Sequence, residues 1–187
     1  MKDFSIFEYA LNLSAVDQTE NLGEVPSITR SDFVERKSFI CRSTIAAVEY
    51  GCLLIENALL LHTNRGGRVY AGFRKLSSLQ PVIDRYLRIA DVSEAVFVFA
   101  QPDWQLPRHP NIRLIPLKED LRLGRECFLI VESSTLNIAF VAFDEVPFES
   151  DASSEQMRFW LMKTSDLAIV RPLAHAVEGV INWTLAA

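Results

Sequence analysis

The sequence predicts a mixed α/β domain: a sheet of five or six strands packed with helices, one of them long, central and apolar. Three observations lead there. Residues 95–100 (AVFVFA) form a continuous apolar run without polar alternation, the pattern of a strand covered on both faces. Residues 45–61 form a long apolar stretch of 17 residues whose hydrophobic positions recur at helical spacing. Residues 127–132 (CFLIVE) and 136–143 (LNIAFVAF) are two apolar strands separated by Ser133, Ser134 and Thr135, the short polar gap of an antiparallel hairpin. With 187 residues and 21.2 kDa, residues 1–187 are expected to form a single domain. A composition 49% hydrophobic and 23% charged excludes disorder as the overall state.

In chain order, residues 4–13 place Phe4, Ile6, Phe7, Ala10, Leu11 and Leu13 on one side of a short helix, with Asp3 as its cap. Residues 14–29 are polar, contain Gly23 and Pro26, and read as a loop. The long helix follows. Thr29 or Ser31 caps it, and Glu35 stands at the capping-box position. Its stripe is Cys41, Ile45, Val48, Cys52, Ile55 and Leu59, broadened by Ala47, Leu54, Ala58 and Leu61. Such a helix lies either in the core or against a partner subunit. HTNRGG (62–67) is a turn, and RVYAGF (68–73) alternates as a strand. Residues 76–90 read as a helix with Pro81 in its first turns. Residues 101–110 hold three prolines and form a loop, and Pro116 places the strand at 111–117 on an edge. After the hairpin, residues 144–156 loop out and FWLMK (159–163) is the last strand. Ser165 or Asp166 caps a final helix, with a kink or a restart expected at Pro172.

Charge and motifs exclude several function classes. Nineteen Lys and Arg against 24 Asp and Glu leave a net charge of −5, which argues against a nucleic-acid partner. Arg65, Arg68, Arg74, Lys75, Arg85 and Arg88 gather base between residues 65 and 88, but aromatic interleaving is weak and a solvated face is the reading. Gly66 and Gly67 precede a strand, not a helix, and no phosphate-binding loop string occurs. His62, His109 and His175 lie far apart, with no metal-ligating spacing, and no cofactor is implied. The three cysteines, Cys41, Cys52 and Cys127, read as buried reduced thiols. Cys41 and Cys52 on one helix would stand about 16 Å apart, too far for a disulfide. The N-terminus is no signal peptide, and residues 45–61 contain Glu49, Glu56 and Asn57, so a cytoplasmic protein without a membrane partner is expected.

Three features carry candidate chemistry. Glu49 and Glu56, seven residues apart, project from one helix face, either to solvent or toward an arginine. Arg85 beside Tyr86 suits a bidentate anion clamp or an ordinary ion pair. Trp104, in the proline-rich loop, covers a pocket or packs locally.

The order of these features resembles the DICT sensory domain, a module of diguanylate cyclases and two-component systems. The resemblance is carried by VEYGCLLIENALL, then RVYAGFRKLSSLQPVIDRYLRIA, then AVFVFAQPD. Phe73 matches the family's strand end, Arg85 and Tyr86 its Arg-Tyr pair, and residues 96–99 its apolar strand. FLIVESSTLNIAFVAFDE is similar to the family's paired strands, and FWLMKTSDLAIV to its closing element through Trp160, Thr164 and Asp166. Arg74 stands where the family commonly has Gln. The resemblance implies a non-enzymatic input domain, linked to light response or to cyclic-di-GMP and two-component pathways, with a signalling protein or output domain as partner and a cyanobacterial source. The expected ligand-binding residues are Phe73, Arg85, Tyr86, Trp104 and Glu49. Two other readings stay open: a homodimeric interaction scaffold built on the long helix, and a small enzyme acting on an anionic substrate through Arg85 with Glu49 or Glu56.

Overall fold

A computed structural model describes residues 2–14, 19–61, 67–118, 121–145, 156 and 158–186. Among these residues thirteen helices and strands follow one another: α1 (Ile6–Leu13), β1 (Glu20–Glu24), α2 (Arg30–Glu35), β2 (Ser38–Ser43), α3 (Ile45–Leu61), β3 (Arg68–Lys75), α4 (Ile83–Val92), β4 (Ala95–Gln101), β5 (Ile112–Pro116), β6 (Glu126–Glu132), β7 (Asn137–Asp144), β8 (Phe159–Thr164) and α5 (Leu167–Ala186). Short 3-10 helices at Leu76–Val82 and Arg122–Arg125 lead into α4 and β6. The turn expected at residues 62–67 lies outside the described residues except for Gly67, as does most of the loop at 144–156.

The strands form one eight-stranded sheet in the order β1-β2-β8-β7-β6-β3-β4-β5. Pairs β1/β2, β3/β4 and β4/β5 are parallel; β2/β8, β8/β7, β7/β6 and β6/β3 are antiparallel. The mixed sheet and the β6–β7 hairpin agree with the sequence reading, and β5 with Pro116 sits at an edge. The count of five or six strands is corrected to eight. Glu20–Glu24 and Ser38–Ser43 are strands that the sequence reading assigned to a loop and to the long helix.

The helices make this a three-layer fold. On one face, α2, α3 and α4 pack through Phe33, Val48, Ile55, Leu59, Tyr86 and Ile89 on Phe39, Ala71, Val98, Leu129 and Phe140. On the other, α1 and α5 pack through Ile6, Phe7, Val170, Leu173 and Val177 on Tyr70, Phe97, Phe99, Ile130 and Val141. In β4, Val96, Val98 and Ala100 face the first layer and Phe97 and Phe99 the second, which is why the whole run is apolar.

The single long central helix is also corrected. Thr29 caps the short α2 through a capping box with Asp32, not Glu35. The chain then extends as β2, so Cys41 is a strand residue pointing at the α2/α3 layer. Thr44 caps α3, its hydroxyl accepting from the Ala47 N–H at 3.3 Å. The helix lies on one side of the sheet rather than at its centre. Gly51 sets its approach: a Cβ there would fall inside contact distance of the buried Phe140 ring on β7. Outward, Tyr50 and Leu61 are exposed. Helix α1 starts at Ser5, whose hydroxyl accepts from the Glu8 N–H, rather than at Asp3. Helix α5 runs unbroken through Pro172, with Asp166 as its cap.

Candidate functional site

The carboxyl ends of β3, β4 and β5 lie at one end of the sheet. The register of β6, β7 and β8 brings the start of β6, the end of β7 and the start of β8 to the same end. Strand β2 also ends there, since Ser43 pairs with Phe159, and α3 therefore begins there. Here a cavity of about 760 Å³ opens between the first three turns of α3, the 3-10 turn with the start of α4, and the sheet.

Its inner wall is apolar and thiol-lined: Val48, Cys52, Leu53, Phe73, Val82, Cys127 and Phe159. Cys52 and Cys127 are free thiols. Contact with the Cys127 thiol and burial hold Cys52 well above the ordinary thiol range, so it is a wall residue rather than a nucleophile. Cys41, on β2, is likewise pushed up to about 11 by burial.

The polar lining falls into two groups. In the first, Arg85 Nη1 meets Glu56 Oε2 at 2.6 Å. Behind this pair lies Tyr86, buried, its ring set edge-on to Phe73 with centroids 5.6 Å apart. Burial first, and then the Glu56 charge, hold its phenol well above the usual range. In the second, Arg74, Arg125, Arg158 and Asp144 gather where β3, β6, β7 and β8 end. Arg158 Nη2 donates to Asp144 Oδ2 at 2.9 Å. Arg125 Nη2 donates to the backbone carbonyls of Asp144 (3.0 Å) and Glu145 (3.4 Å). The Arg74 guanidinium is pulled down to about 10, by burial first and then by the Arg158 and Arg125 charges against the opposing Asp144. The Glu126 carboxylate, at the same sheet end, turns to the opposite layer. It accepts from the Ser5 hydroxyl, the Ile6 N–H at 2.8 Å and the Phe7 N–H at 3.4 Å.

Of the residues expected to bind a ligand, Phe73, Arg85 and Glu49 line this cavity, with Glu49 exposed on α3. Tyr86 stands behind the lining. Trp104 is half-buried, packs against the α2/α3 core and is not among the lining residues. Glu56 is buried and paired with an arginine, the second of the two orientations the helix spacing allowed; Glu49 takes the first. The basic residues between 65 and 88 do not share one face: Arg74 and Arg85 enter the cavity, while Arg68 pairs with Glu178 and Glu94 at the far end of β3. The sequence reading missed Arg125, Arg158 and Asp144, and gave Arg74 no site role. Their common signal is a charged residue abutting an apolar strand run: FRK, RECFLIVE, VAFDE and RFWLM. Among the described residues no cluster of three His, Cys, Asp or Glu side chains has metal-holding geometry, and no helix is long and apolar enough to cross a membrane.

Fold and cavity define the class: an α/β domain with a crevice at one end of its sheet, where β3, β6, β7 and β8 meet α3. Residues 52–144 match the family model of DICT, described as a sensory domain in diguanylate cyclases and two-component systems. That stretch runs from mid-α3 to the last residue of β7. No curated protein matches the sequence. Among solved structures, polyphosphate kinase from Porphyromonas gingivalis is similar at 14% identity and a TM-score of 0.45, over 80% of this chain and 23% of that one.

Proposed function

We propose that this protein is a non-enzymatic input domain, spanning residues 1–187, that takes a small ligand into the cavity under α3 and passes its occupancy to a signalling partner or output domain in the cytoplasm. The DICT match supports the sensory role. The observation that carries the ligand reading is the cavity itself. Its 760 Å³ lies within the roughly 300–1,000 Å³ of small-molecule sites, and its walls are mainly apolar with a few convergent charged groups. Residues on α3, the 3-10 turn, β3, β6, β7 and β8 share the lining, so a bound molecule touches both the helical layer and the sheet. Occupancy then biases how α3 sits on β7, the contact that Gly51 permits.

Thermal-shift measurements against nucleotides, tetrapyrroles and metabolites test this, with an absorbance spectrum of the purified protein to detect a bound pigment. A binder should raise the melting temperature of the wild type and lose its effect in Leu53→Trp and Val82→Trp, which fill the cavity. A binder equally effective on both variants would place binding elsewhere and sink the reading.

A further inference from the structure

Among the described residues, three guanidinium groups, Arg74, Arg125 and Arg158, line the strand-end side of the cavity together with Asp144, whose carboxylate accepts from Arg158. Most of the other acids near the cavity among the described residues are committed or turned away. Glu56 is held by Arg85. Glu145 accepts from Arg42 at 2.7 Å and from the Trp160 indole. Glu126 faces α1. Glu49, the remaining lining carboxylate, is exposed on α3. The contacts of Arg125 to Asp144 and Glu145 are to backbone carbonyls, whereas the Asp144 carboxylate accepts from Arg158. The first residues of α3, Ile45 and Ala46, line the same cavity and bring the positive end of a 17-residue helix to it. Like charges gathered in a partly buried site repel, and an anion relieves that repulsion. Beside them the wall turns apolar at Val48, Leu53, Val82 and Phe159.

We propose that the cavity takes an amphiphilic anion: a molecule with a carboxylate, sulfonate or phosphate-ester group seated on Arg74, Arg125 and Arg158 and an apolar body lying along α3. This rests on the reading of the cavity as a ligand site and narrows it to a chemical class. Guanidinium forks match such oxyanions in geometry as well as charge, and the apolar wall recognises the remainder of the molecule.

The test compares two fluorescent probes that share an aryl-naphthalene skeleton, anilinonaphthalene sulfonate and uncharged N-phenylnaphthylamine, titrated into the full chain. The sulfonate should bind about tenfold or more tightly than the uncharged probe, equivalent to about 1.4 kcal/mol. Arg125→Gln and Arg74→Gln should each shrink that ratio several-fold and leave N-phenylnaphthylamine binding unchanged, which also shows that the variants are folded. Leu53→Trp should weaken both probes. Equal affinity for the two probes, or a sulfonate preference that survives both arginine variants, overturns the anion assignment while the cavity reading stands. Failure of both probes to bind, or binding untouched by Leu53→Trp, overturns the cavity reading and the anion assignment with it.

Discussion

Arg85 reaches from α4 to α3 and sets Nη1 2.6 Å from Glu56 Oε2, with the arginine side chain 34% exposed and the glutamate 5%. The pair ties the two helices that flank the cavity. Its two members are unequal in what they leave behind. Removing Arg85 strands a carboxylate in the core; removing Glu56 leaves a guanidinium that solvent already reaches. Arg85→Leu should therefore destabilise the fold by about 1–3 kcal/mol, below the 3–5 of a fully buried pair because water screens one side. Glu56→Gln should cost less, and the double variant less than the sum. Urea melts of the four-member cycle check this; equal costs for the two single variants would contradict the asymmetry.

Gly51 faces the Phe140 ring so closely that an added Cβ cannot be placed without movement. The ring is wholly buried, and Phe33 packs against it with centroids 5.8 Å apart, so it has little room to yield. Gly51→Ala would gain helix propensity, roughly 1 kcal/mol in an open helix, but overpacking costs about 1–3 kcal/mol, and the second effect should win. Adding Phe140→Leu should recover part of the loss. A stabilised Gly51→Ala variant in a thermal melt would show that α3 slides freely on β7.

Six of the eight strands were legible because each is an apolar run bounded by turn residues. Two were not, for different reasons. Glu20–Glu24 carries one apolar side chain, Leu22, and its position comes from pairing with β2, which no local pattern reports. Ser38–Ser43 was hidden by coincidence. Phe39 and Cys41 face the α2/α3 layer and Ile40 the other, a strand alternation, yet Cys41 also falls four residues before Ile45 and so extends the helical stripe. No Gly or Pro interrupts residues 27–50; the switch from β2 to helix falls at the Thr44 cap. The site shows the same division. Phe73 and Arg85 stand out beside a clear strand and a clear helix. Arg74, Arg125 and Arg158 meet only because β3, β6, β7 and β8 pair in one register, a relationship spread over more than 80 residues of sequence.

Asp166 holds the start of α5 in two ways. Oδ1 accepts the Ala168 N–H at 3.0 Å, and Oδ2 meets Lys37 Nζ at 2.7 Å. The lysine is 65% exposed, so its pairing contributes little, whereas loss of a helix cap costs about 1 kcal/mol. Asp166→Asn should thus be nearly neutral, because the amide oxygen still caps the helix. Asp166→Ala should lower stability by about 1 kcal/mol, and Lys37→Ala by a few tenths. If Asp166→Asn were as damaging as Asp166→Ala in chemical denaturation, the ion pair and not the cap would be the principal contribution.

Glu126 supplies a pH dependence with a definite sign. Its carboxylate is 2% exposed beneath the start of α1, and burial pushes it from 4.5 up to about 7, against the opposing hydrogen bonds from Ser5, Ile6 and Phe7 and the Arg122 charge. Between those two values the folded chain keeps a proton that the unfolded chain has released. Its stabilising share is complete below about pH 4.5 and is lost as pH rises through about 7. The difference corresponds to about 3 kcal/mol at 1.36 kcal/mol per unit. Glu126→Gln keeps an acceptor for α1 and cannot ionise, so its stability should be flat over this window, and its advantage over the wild type should grow from pH 4.5 to pH 7 and then level off. Lys163, pulled down to about 8 by burial, titrates above the window and is common to both proteins, so it cancels in the difference. Denaturation midpoints of the two proteins measured across that range decide the matter: parallel profiles would mean that Glu126 is ionised throughout and that α1 is held by a charge.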